Sequence, residues 1–238
     1  MPDSPANNRD MPRSDAPKID ARAVRRTQLA QEQRARTRAA ILDATFQVIG
    51  HEHGRLARIE DVVRVARIAR PTFYTYFSSM EELFAALSFE LSHEFNTKVL
   101  SYASRQENAA AEGAFAIRYY LERAAIDPKW GWGMVNLSVG GPIFGADTYA
   151  AATSTVQWGV DSGIFRIADV RIGRDMVLGT GLAAMKTILT SEREPSYPAQ
   201  VARQVLMGLG VSAAKAEKLV DKPLPVLIGA VDSPGASL

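Results

Sequence analysis

Proline at position 71 and phenylalanine at positions 73 and 77 constrain this chain more than any other local feature. They lie in the run Arg67-Ile-Ala-Arg-Pro-Thr-Phe-Tyr-Thr-Tyr-Phe77. Pro71 marks the start of a short helix, because the first helical N–H has no intrahelical partner and proline gives nothing up there. Phe73 and Phe77 are four apart, so they stack on one face and anchor that helix to a core. Thr72 and Tyr76 fall on another face, with Arg70 and Tyr74 near the rim. An apolar back with a hydroxyl- and guanidinium-bearing front suits a helix that lies against DNA.

The flanking sequence supplies the partners such a helix needs. Upstream, Ile59, Val62, Val63 and Ala66 recur at helical spacing, with Glu60 and Asp61 in the first turn where negative charge suits the helix dipole. Before them, Ala40, Ile41, Ala44, Thr45, Val48 and Ile49 mark a longer amphipathic helix ending near Gly50 to Gly54. Downstream, Ser78 or Ser79 with Glu81 or Glu82 three residues later gives overlapping capping-box signatures. Spacing alone therefore predicts four helices with short joints, the second and third forming a helix-turn-helix.

Charge points to the same end of the chain. Residues 1–79 hold fourteen Lys and Arg against nine Asp and Glu, a balance of +5, whereas residues 80–238 carry −3. A basic excess confined to the first third is the footprint of phosphate neutralisation. Residues 1–17 contain Pro, Asp, Asn and Ser without an apolar segment; they are expected to be disordered and are no secretory signal. From Asp20 to Arg38 the chain turns rich in Ala, Gln and Arg, which predicts a helical extension; Arg22, Arg25 and Arg26 could reach a groove or remain solvated.

Beyond residue 80, apolar stretches are separated by Pro and Gly breakers. Helices are predicted at about 80–102, 107–126, 146–162, 170–191 and 198–209, with a short aromatic-rich piece at 130–139, a last turn or two at 212–220, Asp127-Pro128 as a stop and Gly163 as a left-handed terminator. No strand alternation or repeat stands out, so the fold class is all-α. Met176–Leu189 carries one charge, Lys186, in fourteen residues. Such a helix is buried on more than one side, one serving its own core and the other a partner. Phe89, His93, Phe115, Tyr119, Trp130, Trp132, Met134, Phe144, Tyr149 and Trp158 fall between this helix and the basic front. As a set they suit the wall of a pocket for a small apolar or aromatic ligand.

Catalytic readings find little support. The chain has no cysteine and three histidines; His51 and His53 are two apart and would point to different helix faces, where helical zinc pairs are four apart. Neither a phosphate-binding loop nor a nucleophile elbow occurs; Ser138-Val-Gly-Gly141 lacks the required pattern. No cofactor or metal is expected. No apolar run reaches the ~18–20 residues of a membrane span, and a cytoplasmic location is expected.

Residues 36–84 resemble the DNA-binding domain of the tetracycline-repressor (TetR) family of bacterial regulators. The matching pieces are Arg38-Ala-Ala-Ile-Leu-Asp-Ala-Thr-Phe46, Ile59-Glu-Asp-Val62, Thr72-Phe-Tyr-Thr-Tyr-Phe77 and Glu81-Glu-Leu83. Three departures stand out: Arg67 where the family has a turn glycine, Arg58 and Ala69 where it has hydroxyl caps, and Met80 where it has lysine. The resemblance implies an arm at 1–33, a helix-turn-helix domain at 34–79, a helical effector and dimerisation domain at 80–221, and a tail at 222–238. It implies a homodimer that binds a palindromic operator and is released by a small effector, most simply as a repressor. Arg70, Pro71, Thr72, Tyr74 and Tyr76 are then expected at the major groove, with Arg36, Thr37, Arg58 and Arg67 on the phosphate backbone. Leu178, Leu182, Met185, Leu189, Val201, Val205 and Leu209 are the expected dimer contacts. Two other classes stay open: an interaction protein that keeps the fold without reading DNA, and a helical enzyme using the aromatic cavity.

Overall fold

The computed structural model describes residues 21–103 and 105–224; most of the 1–33 arm and of the 222–238 tail therefore lies outside the described residues. The chain divides into two compact units, Met1–Arg38 and Ala39–Leu238. The first contributes the front of α1 (Ala21–Ile49), a single helix that includes the predicted extension and whose residues before Arg38 are almost all exposed.

In the second unit, the rear of α1, α2 (Ile59–Ala66), α3 (Arg70–Tyr76) and the start of α4 (Met80–Ala103) share one core. Ile41, Phe46, Ile49, Val62, Phe73, Phe77, Leu83 and Leu87 are all almost fully buried. Phe73 and Phe77 stand 6.1 Å apart between ring centres, so the spacing that predicted a packed back is realised. The capping ambiguity before α4 resolves to Ser79, whose Oγ accepts the Glu82 N–H at 3.2 Å; the Glu82 carboxylate accepts from the Ser78 N–H at 2.7 Å and hydroxyl at 2.6 Å. A 3-10 turn at Gly54–Leu56, not foreseen from spacing, links α1 to α2.

The larger part is built round α5 (Ala109–Ile126), which packs against α4, α6 (Pro128–Leu137), α7 (Ala146–Asp161), α8 (Val170–Thr190), α9 (Tyr197–Gly208) and α10 (Ala213–Val220). Its buried Ala109, Ala110, Ala111, Ala114 and Ala124 let six neighbours come close. Asp127-Pro128 ends α5 but also begins α6 at once. Pro128 occupies the first turn, and the Asp127 carboxylate caps it by accepting from Trp130 N–H at 3.0 Å while receiving Arg123 Nη2 at 3.0 Å.

Besides α4, which packs on α5, α6 and α7, one polar joint connects the two parts of this unit. Asn136, buried near the end of α6, donates through Nδ2 to the carbonyls of Ile49 at 2.8 Å and His51 at 2.9 Å, where α1 ends. A side chain from the larger part thus satisfies terminal carbonyls of a helix that belongs to the smaller one. Beside it, the Lys129 ammonium lies 4.7 Å from the centre of the Phe46 ring.

Candidate functional site

The turn between α2 and α3 is held by an unusual residue. Arg67 has φ 54° and ψ 42°, the left-handed conformation that favours glycine. Its N–H meets the Arg64 carbonyl at 3.4 Å and Ile68 N–H meets Val63 O at 3.1 Å, so the turn closes despite the side chain. Left-handed backbone costs a non-glycine residue about 1–2 kcal/mol, partly offset because glycine would loosen the unfolded chain by about 0.4–1 kcal/mol. Arg67→Gly should therefore raise stability by about 0.5–1 kcal/mol while weakening DNA binding through the lost charge; a denaturation curve paired with a DNA titration checks both signs. Caps elsewhere are thin. Ala69 precedes α3 with no side-chain bond, and before α2 the Asp61 carboxylate accepts Arg58 N–H at 3.1 Å without a reciprocal bond, since a guanidinium only donates.

Helix α3 turns Arg70, Pro71, Tyr74 and Thr75 outward. Thr72 and Tyr76 are half-buried, and Tyr76 packs against the core, so their share of the outer face is smaller than four-residue spacing suggests. Thr75 was missed by sequence reasoning; it stands four after Pro71, and its hydroxyl donates to the Pro71 carbonyl at 3.3 Å. Arg70 is held in place: Nη1 lies 2.7 Å from Glu60 Oε1 on α2, and Nη2 is 3.4 Å from the Tyr74 hydroxyl. The tyrosine contact comes first among the causes that push the Arg70 pKa up. Arg58 and Arg67 are exposed beside this face. In the first unit Arg36 is exposed, whereas Thr37 uses its hydroxyl on the Gln33 carbonyl at 3.0 Å.

A cavity of about 80 Å³ lies among α4, α5, α7, α8 and α9. Val99, Ile117, Leu121, Phe144, Val156, Phe165, Val177 and Leu178 make most of its wall apolar. Two polar stations interrupt that wall. At one, Tyr120 donates its hydroxyl to Asn96 Oδ1, Asn96 Nδ2 donates to Thr148 Oγ1 at 3.0 Å, and Thr148 Oγ1 lies 2.7 Å from the Tyr120 oxygen. At the other, the Thr155 hydroxyl reaches Glu112 Oε1. Burial pushes the Tyr120 phenol well above its ordinary pKa, so it stays a neutral hydroxyl.

The expected aromatic set does not converge on this cavity. Of its ten members Phe144 alone lines it. Phe115, Trp130 and Met134 are ordinary core, with Trp130 Nε1 donating to the Leu91 carbonyl at 3.2 Å; Tyr119 leans on Phe115, and Trp132 is half-buried. Tyr149 lies under Arg174, whose guanidinium carbon is 4.3 Å from the ring centre. Trp158 is exposed. Phe89 stacks on His93 at 4.6 Å in a separate open depression that also takes in Arg55, Leu137 and Asp147, and His93 Nδ1 is 3.7 Å from Asp147. The placement has a simple cause: aromatic residues fill space, and most of that space is solid core. Asn96, Glu112, Tyr120, Thr148 and Thr155 were missed, although two signals existed. Ser88, Ser92 and Asn96 form a polar line at steps of four on an otherwise buried face, and Thr148, Ala151, Ala152 and Thr155 share one face of α7.

The expected dimer contacts lie mostly inside the protomer. Leu178, Met185, Val205 and Leu209 are buried inside the protomer, and Leu178 and Leu209 line the cavity. Leu189 lies against Gly131, while Leu182 and Val201 are half-buried on the core. The outward face is turned by one residue: Thr180 and Ala183 on α8 and Gln204 and Gly208 on α9 are exposed, and Gly179 has open space beside it. Four of the seven expected contacts thus serve the protomer's own core. No group of three His, Asp or Glu among the described residues could hold a metal, and none of their helices is long and apolar enough to cross a membrane.

Comparison with known proteins places this geometry. Residues 41–87 match the model of the tetR family of bacterial regulatory proteins, and residues 109–222 match a tetracyclin repressor-like C-terminal domain, so the two together span well over half of the chain. No curated protein matches significantly by sequence. Among solved structures, the regulator RolR in complex with resorcinol is 21% identical, with a TM-score of 0.67 over 83% of this chain and 99% of that one. The fatty acid degradation regulator FadR of Bacillus halodurans (21% identical, TM-score 0.58, 74% and 97% covered) has the same fold. So does FadR of Bacillus subtilis in complex with stearoyl-CoA (20%, 0.57, 73% and 97%). These likenesses speak for the fold; the helix-turn-helix and the two matched domains speak for the class. The chain belongs to the TetR family of DNA-binding transcriptional regulators, which are not enzymes.

Proposed function

We propose that the protein is a homodimeric repressor, released from an inverted-repeat operator by a small compound that enters the cavity among α4, α5, α7, α8 and α9. The observation that carries this reading is α3, which presents Arg70, Pro71, Tyr74 and Thr75 from a fully packed back. Arg70 and the hydroxyls of Tyr74 and Thr75 divide between base edges and phosphates, with Arg58 and Arg67 on the backbone. Reading two half-sites needs two copies with recognition helices about 34–36 Å apart. The small-residue face at Gly179, Thr180 and Ala183 allows the close helix approach that such a dimer requires.

The cavity supports the release step. At about 80 Å³ it is roughly half the ~150 Å³ that takes up benzene in an engineered protein core, so an occupant of that size must push the walls apart. Phe144 is one of those walls, and its N–H donates to Ser138 Oγ at 3.0 Å, two residues past Asn136. Expansion at Phe144 therefore shifts the end of α6, and Asn136 carries the shift to the end of α1. A hundredfold loss of operator affinity needs only about 2.7 kcal/mol of such coupling.

Selection of the purified protein against random duplexes, followed by anisotropy titrations at several salt concentrations, tests this directly. An enriched inverted repeat with a steep salt slope is expected, and Ala183→Arg should abolish both dimer and binding. If no duplex is enriched, or a monomeric variant binds equally well, the reading is wrong, and the fold serves an interaction rather than an operator.

A further inference from the structure

Helices α5 and α7 run antiparallel past the cavity and are clasped twice. Glu112 meets Thr155, and Tyr120 meets Thr148, so an advance of eight residues on one helix matches a retreat of seven on the other. Between the clasps both helices carry small residues, Gly113 and Ala116 on one and Ala151 and Ala152 on the other. The room between the two helices is thus bounded at each end by a polar station and floored by alanine and glycine.

The two stations differ in what they can offer a guest. In the Tyr120–Asn96–Thr148 ring, Tyr120 donates to Asn96 Oδ1, Asn96 donates to Thr148, and the Thr148 hydroxyl can close the ring on the tyrosine oxygen. That order leaves the second Asn96 N–H as a donor. At the opposite station Thr155 occupies Glu112 Oε1, which leaves Oε2 as an acceptor. No Lys, Arg or His is among the described residues lining the cavity. A carboxylate, phosphate or sulfate brought in here would be stripped of water without a compensating cation and would face Glu112, which is costly on both counts.

We infer that this cavity is built for a compact, uncharged compound with two oxygen substituents at opposite ends, one accepting from Asn96 and the other donating a hydroxyl proton to Glu112. The clasps are roughly 10–12 Å apart along the helices at 1.5 Å per residue. Subtracting a hydrogen bond of about 2.8 Å at each end leaves about 5–6 Å between the two oxygens, the span across one six-membered ring. This inference rests on the cavity being the effector site, and it adds the charge, size and donor chemistry of what enters.

Calorimetric titration of the full-length protein tests it with named probes: 1,3- and 1,4-dihydroxybenzene, their monomethyl ethers, 3-hydroxybenzoate and toluene. The dihydroxybenzenes should bind at least tenfold more tightly than the ethers and the benzoate. Glu112→Ala should erase the advantage of diol over ether, and Ala152→Leu, which fills the floor between the clasps, should abolish binding of every probe, with helical circular dichroism unchanged in both variants. Equal or tighter binding of the benzoate, no binding of the diols, or a Glu112→Ala change within twofold would overturn the inference. Toluene binding that is lost in Ala152→Leu, without any preference for diols, would sink the two-clasp chemistry and leave the cavity as the effector site. Probes that bind wild type and Ala152→Leu alike would remove the cavity reading itself.

Discussion

Replacing Asn136 with alanine should lower stability by about 1–3 kcal/mol, the cost of leaving a buried acceptor without its donor, and should also disconnect effector from operator. Two carbonyls share the Asn136 amide. His51 O also receives Gly54 N–H at 2.9 Å, so the larger share of the loss falls on Ile49 O, which Asn136 serves at 2.8 Å. At a protein of this length, 2 kcal/mol corresponds to a melting shift of roughly 4–8 °C. The second effect separates a joint from a mere support. If Asn136 transmits the shift of α6, the variant should still bind operator in the absence of effector, while a saturating effector should weaken that binding less than tenfold where the wild type loses about a hundredfold. Asn136→Asp sharpens the test, since a carboxylate would face two carbonyl oxygens and should be worse than alanine on both counts. Anisotropy titrations of both variants, with and without effector, would discard the route if the coupling factor were unchanged.

Gly54→Ala should be more damaging still. A Cβ there would sit 2.3 Å from Ile49 O and 2.5 Å from Ile49 Cα, closer than any real Cβ contact. The obstacle is backbone, which cannot turn aside as a side-chain tip can. We expect a loss of about 3 kcal/mol or more, at the upper end of the overpacking range, and with it weaker operator binding, because α2 is hung from this turn. Gly140→Ala supplies the control: no atom lies within 4 Å of its new Cβ, so its melting temperature should stay near that of the wild type. Thermal melts of the two variants side by side decide the matter; comparable losses would show that the tight packing at Gly54 has no energetic weight.

Much of this fold could be read from residue order because its signals are local. Phe73 and Phe77, the Ser79–Glu82 cap and Gly163 act over four residues or fewer, and each fell where spacing put it. The Asp127-Pro128 pair was read as a stop only, because a proline that ends one helix looks the same as one that begins the next. Sites were harder. Whether Leu178 or Ala183 faces outward depends on which helices surround α8, and α5, α6, α7 and α9 all do. The cavity likewise arises where small residues on two helices leave a gap. Its polar members, Asn96 and Thr148, are 52 positions apart and meet only in the fold. Aromatic content, the signal used for a pocket, measures how much volume is filled rather than where it is missing.

If Arg70 meets the operator as proposed, its pairing with Glu60 gives recognition the character of an exchange reaction. The guanidinium already has an anionic partner 2.7 Å away, so a phosphate or guanine at Arg70 would compete with a carboxylate instead of meeting an idle cation. A contact won by displacement adds little net attraction on arbitrary DNA, where the incoming oxygen is no better placed than the outgoing one. It adds more where geometry allows two parallel hydrogen bonds from Arg70 at once. On the proposed function, Glu60 would be a weak built-in competitor, because both side chains of the pair are more than half exposed and water screens them.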